Sequence, residues 1–163
     1  MFREMRRIKQ KLNEEECKAI LERNTSGVLC VLGDNEFPYG VPVNYVYRNG
    51  KLYFHSAKDG HKIDAIKNNE KGSFTIIDQD KIVPEKYTSY FRSVIAFGKV
   101  RVIDDEKEMR NFLKVLSTKY CKDDDAGIEE EINRFIKNVR IIELDIMHLT
   151  GKEAIELVND KNI

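Results

Sequence analysis

Tyr53-Phe54-His55-Ser56-Ala57-Lys58-Asp59-Gly60-His61-Lys62-Ile63 runs from a β-type segment into a polar, glycine-containing loop that starts a helix at once. Such a junction suits anions. The first-turn N–H groups of a helix have no intrahelical partner, and the helix dipole is positive at that end. Ser56, Lys58, His61 and Lys62 bring hydroxyl, ammonium and imidazole donors to the same point. The plainer reading of this stretch is a strand-to-helix connection dressed with surface lysines, and the rest of the chain has to decide between the two.

Immediately upstream, Arg48-Asn49-Gly50 is a hairpin signal that pairs Val43–Tyr47 antiparallel with Lys51–His55. The preceding run, Tyr39 to Tyr47, contains Pro42, which cannot donate a ladder hydrogen bond. It therefore predicts an edge, a bulge or a ligand-facing segment there. Val28 to Leu32 is short and β-branched and predicts a buried strand. Before it, Asn13 and Glu16 have capping-box spacing, and Cys17, Ile20 and Leu21 fall on one face of the helix that follows.

Downstream, His61 to Asn69 reads as a short helix with Ile63 and Ile66 inward, and Gly72 to Asp78 as a strand. Gln79 to Tyr90 contains Pro84 and predicts a long connection, a binding or interface loop. Phe91 to Ile103 is a long strand in which Gly98 signals a bulge or a close approach. Asp104-Asp105-Glu106 places negative charge at the start of a helix with Met109, Phe112, Leu113, Leu116 and Tyr120 inward. A solvated loop at residues 122–127 precedes a helix from Ile128 to Lys137 with Ile132, Phe135 and Ile136 inward. Val139 to Ile146 is the last strand, and His148 to Ile155 reads as a tail.

Six strands, mostly antiparallel neighbours, with helices before, between and after them predict a mainly β domain with appended α-helices, a closed or partly closed barrel. A βαβ sheet is disfavoured: helices do not alternate regularly with strands, and no G-x-G-x-x-G loop is present. The length of 163 residues fits one domain over the whole chain, with the basic residues 1–12 expected to be partly ordered and Arg6 and Arg7 to pack on a partner subunit. Lysine plus arginine (28) balances aspartate plus glutamate (28), so no global field favours nucleic acid or anionic lipid, and an anionic ligand must be held by a local cluster. No apolar run approaches the ~20 residues that span a bilayer, and the N-terminus lacks the apolar segment of a signal peptide, which predicts a cytoplasmic protein. Cys17, Cys30 and Cys121 are odd in number and widely spaced, and read as reduced thiols; no zinc-ligand spacing occurs.

Four segments in order carry a family resemblance: Val41 to Tyr47; Tyr53 to Lys58 with Gly60-His61-Lys62; Tyr90 to Val100; and Thr150-Gly151-Lys152. Together they resemble the pyridoxamine 5'-phosphate oxidase-like flavoproteins, and within them the 5-nitroimidazole-resistance (Nim-type) branch, over about residues 10–155. The resemblance implies a six-stranded antiparallel split β-barrel of Greek-key type and a homodimer with FMN in clefts at the subunit interface. It sets Val43, Asn44 and Tyr45 along the isoalloxazine edge. His55, Ser56, Ala57 and Lys58 line the ring and ribityl chain, with Lys58, His61 and Lys62 near the phosphate. Ser93 and Val94 are implied to come from the other protomer.

Two departures stand out. His148-Leu149-Thr150 replaces the aromatic residue that often precedes the terminal Gly-Lys motif of this branch, and His61 stands where more distant oxidase relatives carry arginine. The expected function is an FMN-dependent oxidoreductase acting on a small molecule, with a nitroimidazole or other nitroaromatic as candidate substrate and reduced nicotinamide as candidate donor. His55 is the candidate proton donor, an imidazole whose ordinary pKa lies near neutrality. The alternatives are a non-catalytic flavin sensor or store, and a haem-binding split barrel with His55 or His61 as axial ligand.

Overall fold

The computed structural model describes residues 1–121 and 124–160. Strands β1 (Ser26–Leu32), β2 (Pro38–Asn44), β3 (Val46–Arg48), β4 (Lys51–Ala57), β5 (Lys71–Val83), β6 (Thr88–Ile103) and β7 (Val139–Glu153) form one antiparallel sheet in the order β2-β1-β5-β6-β7-β4-β3. β2 and β3 are its opposite edges, yet Tyr45 alone separates them in sequence. The sheet must therefore curl until its edges meet. β2 and β3 are the expected single strand Tyr39–Tyr47 broken at Tyr45, and the result is a six-stranded split barrel.

Alternate residues of each strand fill the interior. Leu29, Phe54, Phe74, Ile76, Val94, Ala96 and Leu144 are fully buried there, joined by Cys17, Ile20 and Leu21 from α1 (Glu14–Arg23) and by Ile63, Ala65 and Ile66 from α2 (His61–Asn68). α1 starts at the capping box seen in the sequence: Asn13 Oδ1 accepts from the Glu16 N–H at 2.8 Å, and Glu16 Oε2 from the Asn13 N–H at 3.0 Å.

A second core lies outside the barrel, where α3 (Glu106–Tyr120) and α4 (Asp125–Phe135) cover Val46, Tyr53, Ile103 and Ile141. Tyr53 stacks on Phe112 with ring centroids 3.9 Å apart. Under the same helices Glu143 is buried between Lys51 (3.0 Å) and Arg101 (2.8 Å). Burial would raise its pKa, but hydrogen bonds from Arg101 and Lys51 outweigh that and hold the carboxyl below its ordinary range.

The hairpin at Asn49-Gly50 forms with both residues at positive φ (51° and 77°), and Pro42 lies on edge strand β2. The bulge expected at Gly98 is present. The β6–β7 register shifts there, and a Cβ at Gly98 would collide with the Asp145 carbonyl.

Other expectations are corrected. Gln79 to Tyr90 is not a loop: β5 and β6 pair on to Val83↔Thr88, forming a long hairpin with Asp78 in a bulge and Tyr87 exposed at the tip. His148 to Glu153 is not a tail, because it continues β7 along β6 before α5 (Ile155–Asp160). Asp125 to Gly127 open α4, while the loop expected at Lys122 and Asp123 lies outside the described residues. Phe135 and Tyr120 are each 39% exposed rather than inward, and Ile128, Ile132 and Ile136 form the buried stripe of α4 and the turn after it. Within residues 1–12 most side chains are exposed, while Gln10 and Leu12 are buried, the Leu12 N–H donates to the Gly151 carbonyl at 3.0 Å, and Phe2 stacks on His148 at 4.5 Å. Among the described residues, no helix is long and apolar enough to cross a membrane.

Candidate functional site

The split between the sheet edges makes the site. β4 pairs with β7 along Lys51–Ala57, but β3 pairs with β4 only over Lys51–Tyr53. From Phe54 to Ala57, then, β4 presents a backbone edge with no ladder partner, facing β2. Peptide groups along such an edge are available to a flat ligand. The edge leads straight into the loop Lys58–Gly60 and the start of α2.

Gly60 is the N-cap of α2 with φ +130°, a conformation L side chains rarely adopt, and a Cβ there would meet nothing within 4 Å. No side chain caps this helix. The Gly60 carbonyl accepts from the Ile63 and Asp64 N–H groups, so the two earlier N–H groups, of His61 and Lys62, face the open end. The Lys58 N–H is tied to the Asn138 carbonyl at 3.1 Å, which fixes the loop against the end of β7.

Ser56 carries the sharpest signal. It is 4% exposed, and its Oγ is buried with no hydrogen-bond partner, a costly arrangement that a ligand oxygen or N–H would relieve. Directly across the ladder stands Arg140, on the same face of the sheet. Its Nε lies 2.7 Å from Asp104 Oδ1. Sequence reading passed over Arg140, although alternation with Ile142 and Leu144 puts a cation on an otherwise apolar inward face. Ser56 and Arg140 across the β4–β7 ladder, Lys58 in the loop after β4 and Lys62 in the first turn of α2 supply hydroxyl, guanidinium and ammonium donors, the donor types a phosphate takes. That chemistry fits FMN.

The other expected residues divide. His55 and Ala57 point outward and are exposed. Val43 is half-buried and Asn44 exposed on the facing edge of β2, with the Asn44 amide donating to the Thr25 carbonyl at 3.1 Å. Tyr45 is corrected. Its ring is fully buried edge-on to Phe74, its hydroxyl donates to the Leu21 carbonyl at 2.8 Å, and burial pushes the phenol pKa well up, so the side chain is core and not a ligand wall. Val94 is corrected likewise: it is wholly inside the barrel and presents nothing to another protomer. Ser93, its neighbour, is half-buried on the outer face opposite Ile77 and Lys152. His61 is turned away from the helix start; it stacks on Tyr39 at 4.2 Å, and its Nε2 accepts from the Asp34 N–H at 3.4 Å.

The outer face of β1, β5 and β6 differs from that of β4 and β7. Val28, Thr75 and Ile95 lie in one row, and Cys30, Ser73 and Phe97 in the next. All six are half-buried, and neither hydrophobic core includes them. Ile77 beside them is 66% exposed. Phe2 of the N-terminal segment lies against Phe97 with ring centroids 5.4 Å apart, and the remaining residues of these rows stay partly open to solvent.

The pyridoxamine 5'-phosphate oxidase family model matches residues 13–153. No curated protein matches the sequence. Among solved structures, a candidate 5-nitroimidazole antibiotic resistance protein from Bacteroides thetaiotaomicron is 25% identical, with 88% of this chain and 86% of that chain covered and a TM-score of 0.73. The flavocytochrome Anf3 from Azotobacter vinelandii is 19% identical over 93% of this chain and 72% of that one, with a TM-score of 0.77. An FAD- and haem-binding protein from Mycobacterium smegmatis is 16% identical over 90% and 73%, with a TM-score of 0.75. The latter two likenesses speak for the fold alone. With the family model spanning most of its length and the split barrel present, the chain belongs to the pyridoxamine 5'-phosphate oxidase family.

Proposed function

We propose that the protein is an FMN-dependent oxidoreductase that works as a homodimer on a small, nitroaromatic-type substrate. The observation that carries the reading is the buried, unpartnered hydroxyl of Ser56, on the strand that leads through residues 58–60 into the uncapped start of α2. Ser56, Lys58, Lys62 and Arg140 would hold the phosphate, and the open edges of β2 at Val43–Asn44 and of β4 at His55–Ala57 would flank the ring. FMN bound there would supply two-electron transfer. His55 stands outward on β4, where an imidazole can hand a proton to a substrate oxygen. The bare outer face of β1, β5 and β6 supports the homodimer, because a second copy would remove its apolar rows from water.

The test is the absorption spectrum of the purified protein, followed by turnover of a nitroimidazole with reduced nicotinamide. A flavin spectrum and steady turnover are expected. A haem spectrum would overturn the cofactor, and FMN binding without turnover would leave a flavin-binding protein in place of an enzyme. His55→Ala should keep FMN affinity while lowering turnover by ~10²–10⁴-fold. Loss of FMN, with turnover restored by excess cofactor, would instead make His55 a seating residue.

A further inference from the structure

Where the chain changes sheet edge at Tyr45, an unusually full set of donors converges. The Tyr45 N–H donates to the Thr25 carbonyl at 3.2 Å, and the Asn44 amide donates to that same oxygen at 3.1 Å. Two further donors come from the far end of α3. The Tyr120 hydroxyl lies 2.9 Å from both the Thr25 and the Tyr45 carbonyl oxygens. Lys119 Nζ donates to the Asn24 carbonyl at 2.6 Å and to the Tyr45 carbonyl at 3.3 Å, and stands 4.6 Å from the centroid of the Tyr45 ring.

For Lys119 this is an expensive position. Burial pushes its amine below the ordinary lysine range, and the acceptors it reaches are neutral carbonyls. Drawing an ammonium from water onto neutral groups costs stability, and an apolar side chain of similar length would fill the place without that cost. What the ammonium does is fix the break between β2 and β3 against the α1–β1 connection. Val43 and Asn44 are the two residues before that break, so a shift at Tyr45 carries them with it.

We infer that Lys119 and Tyr120 are positioning residues that hold the Val43–Asn44 edge of the groove in register for the flavin ring, an inference that rests on the FMN reading above. Their side chains reach the carbonyls of Asn24, Thr25 and Tyr45, and it is through these that they would act. Helix α3 would thereby be part of the site's support.

The test uses the full chain with Lys119→Met and, separately, Tyr120→Phe. Three quantities are read for each: FMN affinity, the visible spectrum of bound FMN and the thermal midpoint of the FMN-free protein. Lys119→Met should weaken FMN about tenfold or more and shift the visible band, with a midpoint unchanged or higher. Tyr120→Phe should move affinity and spectrum the same way by less. Unchanged affinity and spectrum in both variants would overturn the inference, as would an affinity that falls only in step with the midpoint. Wild-type protein that takes up no FMN overturns the flavin reading and this inference with it, whereas wild-type binding with unaffected variants overturns the inference alone.

Discussion

The two outer faces of the barrel are built from the same alternation and end up in different states. On β4 and β7, outward Tyr53 and Ile141 are buried to 5% and 0% because α3 and α4 lie over them. On β1, β5 and β6, outward Val28, Ile95 and Phe97 are just as apolar, yet they stay partly exposed because the α3–α4 layer does not reach them, Phe97 meeting Phe2 and His148 instead. The covered face contributes to the stability of a single chain. The other face leaves part of its apolar area in solvent in the single chain, which is why the proposed dimer is placed there.

Neighbouring positions on β6 put this contrast under the greatest stress. Val94→Asp drives an unpaired charge into the barrel and should cost more than about 4 kcal/mol, enough to prevent folding, as read by circular dichroism and urea denaturation. Next in size, Tyr53→Ala empties the stack with Phe112 on the covered face and should cost about 3–5 kcal/mol in the same assay, with the mass in solution unchanged. Ile95→Asp, one residue beyond Val94, should alter single-chain stability by less than about 1 kcal/mol. Its effect should appear in light scattering, which should fall from a dimer to the 19.0 kDa chain, with FMN lost in parallel. If Ile95→Asp destabilises as much as Tyr53→Ala, the distinction between the faces is gone.

The smallest expected effect is one of pH. Glu143, held under α3 by Arg101 and Lys51, has a folded pKa below its unfolded value. The stability it contributes is therefore full above the ordinary carboxylate range and is lost as pH falls from that range through the depressed folded value. Urea midpoints taken down through that window should fall less steeply for Glu143→Gln than for the native chain. Equal slopes would remove Glu143 from the acid response.

Local signals were legible before any coordinates. Asn13 with Glu16, Asn49-Gly50 and Gly98 each state their geometry within a few residues, and the run from His55 to Lys62 announces an uncapped helix start after a strand. What depended on distant partners was not. Gln79 to Tyr90 is polar and contains Pro84, so it reads as a loop; only its ladder, from Gln79↔Arg92 to Val83↔Thr88, makes it a hairpin. His148 to Glu153 becomes strand for the same reason, with β6 as partner.

The resemblance carried Ser93 and Val94 over together, whereas on β6 Val94 and Ala96 face the core and Ser93, Ile95 and Phe97 face outward. The resemblance carried Val43, Asn44 and Tyr45 over together, whereas the break at Tyr45 buries its ring against Phe74 and leaves Val43 and Asn44 on the edge of β2. Of the candidate site, the loop and helix start could be read from sequence. The positions of Arg140, Lys119 and Tyr120 near the split depend on pairing and packing between residues far apart in sequence.

The most direct test of the phosphate end of the groove is a parallel titration of the cofactor-free protein with FMN and with riboflavin, which differ only in the group that Ser56, Lys58, Lys62 and Arg140 would hold. The account predicts micromolar or tighter binding of FMN, riboflavin weaker by at least about tenfold, and most of that difference removed by Lys62→Ala, since charge-assisted hydrogen bonds are worth about 1.5–3 kcal/mol. Equal affinities for the two, or a difference that Lys62→Ala leaves intact, would contradict it.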